Sequence, residues 1–283
     1  MENTIKLCSP NKLWRAEISA RFGANVTKLE FDGKDVLRPL QTPENLNISK
    51  YVYGAPILFP ANRTEDGRFT FENVNYELPI NEPKTNCNLH GVLVVSEFLV
   101  DAVSDTSVTL SFENRGVVYP FPFKFTANYT ITDNGLIKQY TVLNTGNKNM
   151  PFTFALHTTF VEPDIFSVPI SAAQERNERN LPTGKLLPLN DAEKRFVSGS
   201  KSFGNTISGY YKSCGNTAKI GGFKYVASDN FDYWVLFNNC GTAGYLCVEP
   251  QCGSVNGLNI SGEHKILAPG RYETFVAKIL NFG

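Results

Sequence analysis

Two segments of this chain alternate apolar and polar residues without a break, and that pattern limits the possible folds more than any other feature. In Ser107-Val108-Thr109-Leu110-Ser111-Phe112-Glu113 every even position is apolar. From Phe123 to Thr132, Phe123, Phe125, Ala127, Tyr129 and Ile131 alternate with Lys124, Thr126, Asn128, Thr130 and Thr132. Successive side chains of a strand point to opposite faces, so a period of two predicts antiparallel strands with one buried and one wetter face. Asp32-Gly33, Asn134-Gly135 and Pro269-Gly270 fall between strand-like runs, where Gly or Asn supplies the positive φ of a tight hairpin.

The expected architecture is a long all-β antiparallel meander. Helical signals are few: Asn190 to Phe196 predicts a short helix, and Pro43 to Tyr53 a further helical turn. The stretch 162–222, rich in Pro, Asn, Gly and Ser, reads as loops crossing one end of the sheets, with strands resuming at Lys224. No fixed-period repeat or low-complexity linker divides the chain, so one domain over 1–283 is expected.

Charge and cysteine usage exclude several function classes. Lys and Arg number 27 against 27 Asp and Glu, which is not the footprint of a nucleic-acid or anionic-membrane binder. Met1 to Lys6 lacks a basic segment followed by an apolar run, and no stretch approaches the roughly 18 apolar residues of a membrane span. A cytoplasmic protein is expected, with Cys8, Cys87, Cys214, Cys240, Cys247 and Cys252 reduced and mostly buried. Cys240, Cys247, Cys252 and His264 lack the closely spaced cysteine pair of structural zinc sites, so no metal is expected.

Chemistry enters with the histidines. Two of the three lie in short suggestive stretches, Asn88-Leu89-His90-Gly91 and Ala155-Leu156-His157-Thr158-Thr159-Phe160, and Cys247-Val248-Glu249-Pro250 offers a carboxylate. Imidazole and carboxylate, with ordinary pKa values of about 6.5 and about 4.3, supply a donor and an acceptor for proton transfer near neutrality. Blander readings stand beside this one. His90 before a glycine suits a structural hydrogen bond, His157 in an apolar run suits a satisfied core imidazole, and Arg63 suits a surface salt bridge. Glu249 is stronger by itself, because a glutamate between Val248 and Pro250 is costly to bury without a partner or a task.

Taken in order, Pro56-Ile57-Leu58-Phe59-Pro60-Ala61-Asn62-Arg63, Asp66-Gly67-Arg68-Phe69, Tyr76-Glu77-Leu78 and Asn88-Leu89-His90-Gly91 resemble the front half of the aldose 1-epimerase (galactose mutarotase-like) family. Tyr119-Pro120-Phe121-Pro122-Phe123, Met150-Pro151-Phe152, Leu156-His157, Leu181-Pro182-Thr183-Gly184 and Val248-Glu249-Pro250 are similar to its later landmarks, so the resemblance covers essentially the whole chain. Singly these motifs are weak; their order carries the weight. The resemblance implies a β-supersandwich of large curved antiparallel sheets with few short helices and a sugar cleft on a concave face. It also implies Glu249 as general base, His157 as general acid, and His90 and Arg63 as residues holding sugar oxygens.

The implied reaction interconverts α and β anomers of an aldose. One proton leaves the anomeric hydroxyl, one reaches the ring oxygen, and the ring opens and recloses, which requires no redox cofactor and no metal. Phe69, Tyr76 or Trp234 is expected to pack on the apolar face of the pyranose. Two departures weaken a galactose preference: Val92 and Thr158-Thr159 follow the two histidines where many family members have Gly and Pro-Tyr, and the family's Asp-His-Asn motif is absent. Asp229 and Asp232 do not replace it by pattern. Two rivals remain: the same chemistry on a hexose 6-phosphate, with Arg63, Arg68 and Arg115 as candidate cations, and a carbohydrate-binding protein without turnover.

Overall fold

The computed structural model describes residues 4–282, the side chains of 47 and 48 excepted. Residues 1–3 of the segment inspected for a leader, and residue 283 of the expected domain, lie outside the described residues.

The alternating segments form the strands they predict. Ser107–Asn114 pairs with Phe123–Thr132, Val108 opposite Tyr129 and Leu110 opposite Ala127, and every apolar residue named in the second strand is buried. Asn134 then turns the chain into Gly135–Asn144, which pairs along its length with Phe123–Thr132. These strands lie in an eight-stranded antiparallel sheet ordered Leu99–Val103, Ser107–Asn114, Phe123–Thr132, Gly135–Asn144, Tyr272–Asn281, Phe223–Ala227, Thr217–Ile220, Phe166–Ser167.

A second large sheet is ordered Pro182–Pro188, Ile170–Arg176, Ser208–Ser213, Tyr233–Phe237, Tyr245–Cys252, Phe154–Leu156, Ile57–Leu58, with Thr159–Val161 also paired to Tyr245–Cys252. Aromatic rings fill the space between the two sheets. Phe154 of the second meets Phe125, Tyr140 and Phe275 of the first at ring-centre distances of 5.8, 5.5 and 4.7 Å. Tyr225 likewise meets Phe160 and Trp234. A four-stranded sheet of Thr4–Cys8, Trp14–Ser19, Asn25–Phe31 and Lys34–Asp35 packs at the side, and its buried residues belong to the same apolar cluster, which runs from Leu7 to Ile279.

The loop reading of 162–222 is overturned. Ile170–Arg176, Pro182–Pro188 and Ser208–Ser213 form one whole side of the second sheet. Pro182–Pro188 is an edge strand whose side chains are almost all exposed, so it needs no apolar alternation and tolerates proline at both ends. The expected short helix is Asp191–Ser198; Asn190 caps it, accepting from the Ala192 and Glu193 amides while Glu193 reaches back to the Asn190 amide. Within 43–53 the helical turn is Asn45–Ile48.

Candidate active site

The strand Tyr245–Cys252 builds the centre of the site. It pairs with two short strands of one continuous segment: Ala155 lies opposite Gln251, and Thr159 lies opposite Cys247. His157 is midway between Ala155 and Thr159, and Glu249 midway between Cys247 and Gln251, so the shared register sets imidazole and carboxylate face to face. His157 Nε2 stands 3.3 Å from Glu249 Oε1. Between the short strands the ladder is interrupted, and the His157 amide donates to Pro56 O at 2.9 Å. Alternation turns the next residue the other way: the Thr158 hydroxyl is 2.7 Å from Tyr225 OH in the space between the sheets.

His90 and Arg63 arrive from a different part of the fold. Arg63–Glu65 pairs with Cys87–Leu89, and the His90 amide donates to Asn62 O at 2.8 Å. His90 itself has φ 62, a left-handed conformation uncommon outside glycine. Gly91 follows at φ 62, and a Cβ there would fall 1.9 Å from Phe59 O, so only glycine fits. The His90 and His157 rings are 5.4 Å apart, and Tyr51 packs on both, at 4.5 Å and 6.1 Å.

These elements enclose a cavity of about 300 Å³ lined by Arg63, His90, His157, Glu249, Tyr51 and Tyr210 among others. That volume suits a small ligand. Arg63 is braced rather than free: Nε and Nη2 donate to the two oxygens of Glu82 at 2.7 Å each, and Nη1 donates to Tyr210 OH at 2.7 Å. Burial works against its charge, but the Glu82 carboxylate outweighs burial and holds the guanidinium above its ordinary pKa.

Glu249 is 1% exposed and His157 5%. Burial pushes the Glu249 carboxyl well above the usual carboxylate range and lowers His157 to about 4. Burial, then the adjacent His157 and Arg63, lower His90 as well. Exclusion of water therefore favours a pair that is neutral overall, with one proton between carboxyl and imidazole. Glu249 Oε2, His157 Nδ1 and His90 Nδ1 are buried without a hydrogen-bond partner. Each such atom costs about 1–3 kcal/mol, a cost that a polyhydroxylated ligand offsets.

Several expected lining residues lie elsewhere. Phe69 stacks on Tyr76 and Tyr119, and Trp234 packs on Tyr225 while its indole N–H donates to Gly215 O. Neither these two nor Tyr76 lines the cavity; its aromatics are Tyr51, Tyr210 and Phe237. Adjacent strand residues face opposite ways, so Trp234 points between the sheets and its neighbour Val235, opposite Glu249, faces the cleft. Arg68 is exposed and paired with Glu77, and Arg115 is exposed and away from the cavity; Arg176 lines it instead, anchored on Ser208. Asp229 and Asp232 do not line the cavity. The cysteine set with His264 is not brought together: Cys240 is exposed beside Thr242, His264 Nδ1 meets Gly257 O, and Cys247 and Cys252 point to opposite faces of one strand.

The aldose 1-epimerase family model matches residues 4–270. The chain belongs to the aldose 1-epimerase family. A galactose mutarotase-like protein from Clostridium acetobutylicum superposes with a TM-score of 0.87 over 95% of this chain and 93% of its own, at 24% identity. The aldose epimerase homologue of C. elegans gives 0.83 over 99% of both chains at 17% identity. At these identities the likeness is one of fold, and the fold is the galactose mutarotase-like β-sandwich. The uncharacterised protein YihR of Escherichia coli K12 is 25% identical over 200 residues, 68% of this chain, and the match spans 63% of that relative's length. Among the described residues of this aldose 1-epimerase family member, no helix is long and apolar enough to cross a membrane.

Proposed function

We propose that the protein is an aldose 1-epimerase acting on a free sugar, an isomerase that opens and recloses the pyranose ring by general acid and base catalysis. The observation that carries this reading is the His157–Glu249 pair, 3.3 Å apart and buried at the wall of a hexose-sized cavity. Glu249 as carboxylate removes the proton from the anomeric hydroxyl while protonated His157 delivers one to the ring oxygen. That step converts an ion pair into a neutral pair, the form that burial favours. Rotation about the C1–C2 bond of the opened sugar and reversal of both transfers complete the exchange. Each transfer is worth roughly 10²- to 10⁴-fold.

His90 and Arg63 hold sugar oxygens in this scheme, and Tyr51, Tyr210 and Phe237 offer apolar surface. A free aldose is favoured over a hexose 6-phosphate because Glu82 neutralises Arg63, Glu77 pairs with Arg68 and Arg115 is off the cleft, which leaves Arg176, held by the neutral Ser208, as the cation that a phosphate would have to use. A single domain over 1–283 is supported by the apolar cluster that joins residues from Leu7 to Ile279. Polarimetry and exchange NMR across free and 6-phosphorylated aldoses test the proposal. Accelerated anomer exchange of a free aldose is expected. A large preference for the 6-phosphate establishes the phosphosugar alternative, and binding without exchange establishes a carbohydrate-binding protein.

A further inference from the structure

Cys247 has no part in the proton relay, yet its thiol stands beside it. Two residues before Glu249 on one strand, it projects from the same face. Donor atoms of His157, Cys247 and Glu249 all lie within 4.8 Å of one another. All three side chains are buried, and Glu249 Oε2 and His157 Nδ1 have no partner in the protein. The Thr159 hydroxyl lies 3.3 Å from Cys247 Sγ, placed to donate to a thiolate.

We propose that His157, Cys247 and Glu249 form a site for a thiophilic divalent cation of the zinc type, and that its occupancy blocks the catalytic pair. Imidazole nitrogen, thiolate sulfur and carboxylate oxygen are all zinc donors, and three-ligand zinc sites keep a fourth position open; two of the three residues here, His157 and Glu249, line the sugar cleft. Metal–ligand bonds of about 2.0–2.3 Å place tetrahedral donors roughly 3.5 Å apart, within reach of small side-chain rotations from the observed spacing. Coordination sends the thiol proton and the carboxyl proton to solvent and leaves the oxidation state of the metal unchanged. The charges then cancel: one divalent cation, one thiolate, one carboxylate and a neutral imidazole sum to zero, so no net charge is buried. Mg²⁺ and Ca²⁺, which prefer oxygen donors, do not suit this set.

Ion binding stands on the geometry alone, whereas the block of turnover rests on the reading of His157 and Glu249 as the relay. The test is a titration of the full chain with Co²⁺ and then Zn²⁺, with the exposed Cys214 and Cys240 replaced by serine to remove surface thiols. One Co²⁺ per chain is expected, with a thiolate-to-cobalt charge-transfer absorption that Zn²⁺ displaces. Cys247→Ser should abolish the absorption and weaken Zn²⁺ binding by on the order of 100-fold or more, since loss of a mere outer-sphere partner already costs roughly 10- to 100-fold. Metal-free Cys247→Ser should retain mutarotation, and Zn²⁺ should inhibit the parent chain competitively with sugar but spare the variant. If serine compromises folding, as circular dichroism would reveal, Cys247→Ala serves the same comparison. Absence of the cobalt–thiolate band, or Zn²⁺ affinity unchanged by loss of Cys247, overturns the site. Tight Zn²⁺ binding through Cys247 without effect on turnover keeps the site and overturns the block, and with it the relay.

Discussion

Arg63 and Glu82 meet through two parallel contacts of 2.7 Å, and the third edge of the guanidinium is held by Tyr210 at 2.7 Å. Glu82 also accepts from the Thr85 hydroxyl, so the carboxylate is itself fixed. The brace spans strands of different sheets: Arg63 belongs to a two-stranded ribbon and Tyr210 to the second large sheet. Three of the five N–H donors of Arg63 are used, which leaves two oriented donors at the cavity wall.

Arg63→Ala should therefore raise the KM for sugar by about 10- to 100-fold, the loss of charge-assisted hydrogen bonds worth roughly 1.5–3 kcal/mol, with a smaller fall in kcat. Initial-rate polarimetry over a range of sugar concentrations reads this directly. An unchanged KM would remove Arg63 from sugar binding.

Glu249→Gln keeps the shape of the side chain and cannot accept a proton. Turnover should fall by roughly 10²- to 10⁴-fold while sugar binding, followed by calorimetry, survives. His157→Asn should behave alike. Near-normal rates in either variant would strike that residue from the relay.

The pH profile follows from the opposed shifts of the pair. One proton is held between the two groups from the pKa of His157, about 4, up to the raised value of Glu249. The acid limb of kcat/KM should accordingly centre nearer 4 than the 6.5 of an ordinary imidazole, with a chelator present throughout. An acid limb at 6.5 would mean that the site is wet and His157 unperturbed.

Lys138 lies on Gly135–Asn144 among the inward-facing residues, with no exposed surface. Its ammonium makes two long hydrogen bonds, 3.4 Å to the Thr158 hydroxyl and 3.5 Å to Tyr225 OH, and lies 5.0 Å from the centre of the Tyr225 ring; burial lowers it from 10.5 to about 7. Between those values the unfolded chain binds the extra proton, so stability rises with pH across that window; below about 7 the whole cost, on the order of 5 kcal/mol, is present. Lys138→Met should thus stabilise the protein by a few kcal/mol near pH 6, with the gain shrinking as pH approaches 10. Urea midpoints of both proteins at several pH values measure it. A difference that stays constant with pH would contradict the neutral buried lysine.

What was legible in the sequence was whatever leaves a periodic or ordered trace. Phe123 to Thr132 announced its strand because one face is buried and the other wetter. Asn190 announced a helix start through Glu193. The ordered motifs carry the family, and Arg63, His90, His157 and Glu249, which those motifs mark, converge on one cavity. The illegible parts lack such traces. Ile170–Arg176 shows no alternation of burial, and Pro182–Pro188 is an exposed edge. Glu82 forms an isolated bridge with Cys87 at the mouth of a turn, where nothing local marks it as the partner of Arg63. Tyr210-Tyr211 did carry a usable signal: neighbours on a strand face opposite ways, so one of two consecutive tyrosines had to leave the core, and Tyr210 is the one at the cleft.

Because register alone aims His157, the number of residues between Phe154 and Val161 is as tightly specified as their identity. Insertion or deletion of one residue would swing Thr158 to the sugar side and drive the imidazole toward Tyr225 and the lysine beneath it. The same arithmetic governs Tyr245 to Cys252. The segment 43–53, which brings Tyr51 to the histidines, forms no such ladder among the described residues and is held by side-chain contacts at its Tyr51 to Tyr53 end. A change of guest on this scaffold is therefore compatible with substitution alone in the two paired stretches, whereas a change of length disturbs their aim least when it falls in rim segments outside the ladders.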